Sequence, residues 1–122
     1  MSGMIFIVDS MASVRRSLTR LLNAAGFCVV TFESGQAFVD SASPESGDFI
    51  ILDSQTTDLS GLEVQEVLAQ RGDPSQTIMT SASESPNARA HAQRSGAIAY
   101  FSKPVDGSAL IDCIRFAQKG NA

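Results

Sequence analysis

The chain has 122 residues, within the ordinary size of one domain with one hydrophobic core, so residues 1–122 are expected to form a single domain. Apolar residues make up 43% and charged residues 18%, a balance typical of globular chains and unlike disordered or fibrous ones. Thirteen acids against nine bases leave a net charge of −4, which opposes direct nucleic-acid binding and adhesion to anionic lipid.

Five short runs rich in Ile, Val or Phe read as strands: Met4 to Val8, Phe27 to Phe32, Phe49 to Leu52, Thr77 to Ala82 and Ile98 to Phe101. Helical spacing separates them. It is carried by Val14, Leu18, Leu21 and Leu22, by Ala37 and Phe38, by Leu62, Val64, Val67 and Leu68, by Ala88 to Ala92, and by Leu110, Ile111, Ile114 and Ala117. Ser34, Ser60 and Ser85 are candidate N-caps, Pro86 suits a first helical turn, and Gly26, Gly72, Gly96 and Gly120 mark C-terminal ends. The stretch 41–47 reads as a polar loop.

The strand runs lack strict alternation, which implies burial on both faces. Five β-α units in succession therefore predict a three-layer α/β/α sandwich around a five-stranded parallel sheet with right-handed crossovers. Cys28 and Cys113 match no metal-ligand spacing and lie in apolar runs, where free thiols serve as small hydrophobes. A reducing cytoplasm fits them best. No apolar run approaches the roughly 20 residues that span a bilayer, and the N-terminus lacks the pattern of a signal peptide, so no membrane role is expected.

In an open parallel sheet the C-terminal ends of the strands share one edge, where loops converge and sites form. That edge is predicted to gather Asp9 and Ser10 from strand one, Asp53 from strand three, Ser81 from strand four, and Lys103 with Pro104 from strand five. Taken singly, each has an ordinary alternative: Asp53 a turn former, Asp9 or Ser10 a helix initiator, Lys103 a solvated lysine, Tyr100 a half-buried strand aromatic. His91, between Arg89 and Arg94, reads as a solvated helix histidine. Arg15 and Arg16 read as an exposed helix face that could help dock an acidic partner.

The segments IFIVDS, FIILDSQTTDLSGLEV, TIMTSA and AIAYFSKP resemble the receiver domain of two-component response regulators, from about Ile5 to Ala117. The resemblance implies a flavodoxin-like fold with strand order 2-1-3-4-5. It implies that Asp53 accepts a phosphoryl group from a histidine kinase or a phosphotransfer protein, with Lys103 and Ser81 contacting that group. By the same resemblance, Asp9, Asp53 and the backbone carbonyl of Gln55 hold Mg²⁺, Ser81 and Tyr100 couple phosphorylation to the surface, and the Lys103-Pro104 bond is cis. The partner surface is the face of helix four, strand five and helix five, which serves an output domain, a partner protein or a second copy of the chain.

The chemistry agrees with those roles. A phosphoryl group in transfer carries charge on its equatorial oxygens and needs fixed cations and hydrogen-bond donors around it. Such a module acts on its own aspartate and assists its own phosphorylation and dephosphorylation, so turnover of a separate substrate is not expected.

Two positions depart from the family. Ser10 stands where the family has a second acid bound directly to the metal, and Thr57 replaces a proline. Two charges 4 Å apart interact by about 4 kcal/mol at an effective dielectric of 20. Losing one carboxylate therefore predicts weaker Mg²⁺ binding. It also raises an alternative: a receiver that works as an interaction module without phosphate. A third reading, a small phosphohydrolase with an aspartyl nucleophile, meets two obstacles: DSM at Asp9 lacks the second acid of a D-x-D pattern, and 122 residues leave little room for a cap.

Overall fold

The structure, a computed structural model, describes residues 3–56, 58–73, 75–82, 86–94 and 96–120, without the side chains of 86–88 and 91. Thr57 and Ser85, and the side chain of His91, thus lie outside the described residues. The chain alternates strand and helix throughout: β1 Met4–Val8, α1 Ala12–Ala24, β2 Cys28–Phe32, α2 Gly35–Ser41, β3 Phe49–Asp53, α3 Gly61–Gln70, β4 Gln76–Ser81, α4 Pro86–Arg94, β5 Ala99–Ser102 and α5 Gly107–Gly120. All strand pairs are parallel, in the order β2-β1-β3-β4-β5.

Period-two alternation sorts the strand side chains into two cores. Ile5, Ile7, Phe49, Ile51 and Ile78 pack against Leu18 and Leu22 of α1 and Leu110 and Ile114 of α5. Val8, Ile50, Leu52 and Met79 point the other way, onto Phe38 and Val39 of α2, Val64 and Leu68 of α3, and Ala92 of α4. The central strand β3 is buried along its whole length, as the continuous run in the sequence implies. Phe38 of α2 meets Phe6 and Phe32 of the sheet edge-to-face.

Helix ends follow local chemistry. Ser34 caps α2 through Ala37 N, and Ser60 with Glu63 forms a reciprocal capping box on α3. Gly26, Gly72 and Gly96 adopt positive φ just beyond α1, α3 and α4, as expected of helix-terminating glycines. Several expectations change, among them the fourth strand, which spans Gln76–Ser81 and leaves Ala82 exposed beyond it. Phe27 precedes β2 but is buried as a core residue, and Ile98 lies outside β5 and is exposed. Cys28 is exposed on an edge strand rather than buried, since the sheet ends there; Cys113 is half-buried, and burial pushes its thiol pKa up.

At the N-terminal edge of the sheet, Asp48 joins three segments. Its carboxylate accepts from Met4 N and from Glu45 N, both at 2.8 Å, and its carbonyl accepts from Gln76 N at 3.1 Å. Two backbone donors on one carboxylate make Asp48 the fastener of that edge. Asp48→Ala leaves both amides without this partner, and urea unfolding should show a loss of about 1–3 kcal/mol.

Candidate functional site

The opposite edge of the sheet is polar where the rest is apolar. Asp9, Asp53, Thr80 and Ser81 are all buried there, with Asp9 2% and Asp53 6% exposed. Each is placed by a strand end. Asp9 follows β1 and is tied to β2 through its amide on Phe32 O; Asp53 is the last residue of β3, in register with Thr80. Lys103 follows β5, its amide donating to Ser81 O at 2.8 Å, and the Lys103-Pro104 bond is cis, as expected.

Lys103 is the centre of the arrangement. Its ammonium lies 2.8 Å from Asp9 Oδ2 and 3.4 Å from Asp53 Oδ2. Burial pulls the lysine pKa down, but the hydrogen bond that the ammonium donates to Asp9 and the charges of Asp53 and Asp9 outweigh it and hold the group above its ordinary value. Two carboxylates close enough to share one cation repel each other, so neither is tolerated buried without that cation. The remaining oxygens are held by backbone amides: Met11 N donates to Asp9 Oδ1 at 2.9 Å and Gln55 N to Asp53 Oδ1 at 3.2 Å.

Gln55 itself is exposed, and only its backbone faces the acid. The loop beyond it turns tightly into α3, with Gly61 N donating to Ser54 O at 3.0 Å. A Cβ on Gly61 would stand 2.8 Å from Met79 Sδ and 2.9 Å from Ser54 Cα, so the turn requires glycine there. Asp58 ties the same loop to the start of α2, accepting from Leu59 N and from Gln36 N. The amide of Leu59 is the main cause of its lowered pKa.

Two residues of the site differ from the sequence reading or escape it. Arg15 is not simply surface: it is half-buried and donates from Nη1 to the Asp9 carbonyl at 2.7 Å, fixing the acid-bearing loop, while Arg16 stays exposed as expected. Nothing in the pattern separated the two arginines. Thr56 is buried, and its hydroxyl finds no hydrogen-bond partner among the described residues.

The two buried carboxylates, Asp9 and Asp53, are oxygen donors of the kind a hard divalent cation takes. The set is nevertheless short of charge. Among the described residues no group of three His, Cys, Asp or Glu is gathered that could hold a metal ion.

The response regulator receiver domain family matches residues 5–115, and the chain belongs to that family. It is a receiver domain, the class that takes the phosphoacceptor role in two-component signalling.

Among its relatives is the transcriptional regulatory protein TdiR of Thauera aromatica, 36% identical over 113 residues, covering 93% of this chain and 50% of that one. Another is the transcriptional regulatory protein FixJ of Bradyrhizobium diazoefficiens, 33% identical over 116 residues, covering 94% and 56%. The chain spans about half the length of these curated relatives. A low-resolution structure of the response regulator StyR superposes with a TM-score of 0.88 at 32% identity, covering 99% of this chain and 61% of the other.

Two stability effects follow from the site. Thr56→Val removes a buried hydroxyl without changing side-chain shape and should raise stability by about 1 kcal/mol in urea unfolding. Lys103→Met strands two buried carboxylates, and because Lys103 itself is only partly buried the loss of stability should be about 1–3 kcal/mol, below that of a fully buried pair. The ammonium pKa is raised in the folded state, so its contribution is complete below the unfolded value of 10.5 and disappears as pH rises through the folded value. The penalty of Lys103→Met should therefore be level from neutral pH to about pH 9.5 and shrink above it.

Proposed function

We propose that Asp53 is the phosphoacceptor of this receiver. The observation that carries the reading is the Lys103 ammonium, 2.8 Å from Asp9 and 3.4 Å from Asp53 at the sheet edge where Ser81 also ends its strand. A carboxylate oxygen of Asp53 attacks the phosphorus of a phosphohistidine on a histidine kinase or phosphotransfer protein. The P–N bond breaks, its electron pair returns to the imidazole, and an acyl phosphate forms. Lys103 and the Ser81 hydroxyl then donate to phosphoryl oxygens, matching the charge that develops in transfer.

Mg²⁺, held by Asp9, Asp53, the Gln55 carbonyl and the Ser10 hydroxyl, supplies further charge neutralisation when bound. Asp9 also serves the chain directly, by holding Lys103 beside the acceptor before the donor arrives. The transferred group remains on the chain's own aspartate, so no separate substrate is turned over.

Downstream, Ser81 and Tyr100 are the coupling residues. Tyr100 is paired in register with Met79, and Ser81 lies two residues further along the same face of β4, so the ring and the hydroxyl are diagonal neighbours on one side of the sheet. A phosphoryl group that draws Ser81 toward Asp53 opens space for the ring. The face of α4, β5 and α5 then differs between the two states, and a partner that binds one state better shifts the balance. That partner is an output domain, a separate protein or a second copy of the chain.

Incubation with acetyl phosphate and Mg²⁺ should add one phosphoryl group by intact mass, and Asp53→Asn should add none. Absence of the adduct at saturating donor and metal would defeat the assignment and leave the phosphate-independent interaction module. Ser10→Asp should tighten Mg²⁺ binding by about tenfold or more, because it restores a carboxylate beside Asp9. Equal metal affinity in the two proteins would show that the tenth position is not a ligand.

A further inference from the structure

Tyr100 is the only tyrosine in the chain, and its ring is not left to packing alone. The guanidinium carbon of Arg89 lies 5.0 Å from the ring centroid, within cation-π range. Arg89 is exposed and sits one turn before Ala92, the buried residue through which α4 enters the core that Tyr100 borders. The helix thus fixes the base of the arginine while its head covers the aromatic face. A ring that turns toward Ser81 must leave this contact.

We propose that Arg89 is a positioning residue of the Tyr100 switch: its guanidinium holds the ring in the resting place, and activation must break the pair. This rests on the reading of Ser81 and Tyr100 as coupling residues. A contact of this kind at an exposed site favours the resting ring by about two- to fivefold. That is enough to adjust how readily the receiver switches without preventing it. It also makes α4 part of the device, since any movement of that helix carries Arg89 with it. Turning of the ring leaves the guanidinium without its aromatic partner on the same face, so the two states differ in how that charge is presented as well as in shape.

The absence of tryptophan makes Tyr100 emission a single-site reporter, with Tyr100→Phe as the blank. Wild type, Arg89→Met and Arg89→Lys are compared by tyrosine emission and acrylamide quenching, first alone and then during titration with beryllofluoride and Mg²⁺. Methionine keeps an apolar stem without the charge, and lysine keeps a cation. Without beryllofluoride, quenching in Arg89→Met should differ from wild type and Arg89→Lys should restore it. In the titration, half-saturation of Arg89→Met should fall about two- to fivefold.

Equal quenching in wild type and Arg89→Met overturns the proposal, as does an unchanged half-saturation. If beryllofluoride alters none of the proteins, the phosphoacceptor assignment fails. The comparison made without it still decides whether Arg89 governs the ring.

Discussion

The site depends on one cation shared by two buried carboxylates. Placing Asp9 and Asp53 side by side in a largely apolar sheet is unfavourable unless a positive charge joins them, and Lys103 arrives from the far end of the sequence to provide it. The sheet order makes this possible. β1 and β3 are neighbours, β4 and β5 follow on one side, and all five strands deliver their C-termini to the same edge. The ion pair is therefore a consequence of topology as much as of residue choice.

Under the proposed function, the same pair also prepares the site to react. The ammonium is closer to Asp9 than to Asp53, so the Asp53 carboxylate is neighboured by a cation without being fully claimed by it. With Asp53 in the proposed role, an incoming phosphoryl group would meet a donor already in place, the form of preorganisation that transfer between anions requires. Ser10 changes the balance. With serine rather than an acid at that position, Lys103 neutralises a larger share of the pocket's negative charge, and a divalent cation in the proposed site would have less to bind.

Much of the fold is legible in the order of residues because the relevant signals are local. The continuous run Phe49 to Leu52 announces a strand buried on both faces, and Ser60 with Glu63 marks the start of α3 through a cap that acts over three residues. The sheet edge holding Asp9, Asp53, Ser81 and Lys103 is predictable once strands alternate with helices, and the family resemblance adds the strand order. Tertiary matters are less visible. Asp48, Arg15 and Arg89 look like ordinary surface charges, and their roles arise from backbone amides, a carbonyl and a ring brought near them only by folding. Cys28 misleads in the opposite sense, as an apolar neighbourhood in sequence becomes an open edge in space.

A high-resolution crystal structure with Mg²⁺ and beryllofluoride bears most directly on the shared cation. The account predicts an adduct on the Asp53 carboxylate, with the Lys103 ammonium moved from Asp9 onto a fluorine of that adduct. A lysine still seated on Asp9, with Asp53 unmodified at saturating beryllofluoride, would contradict it.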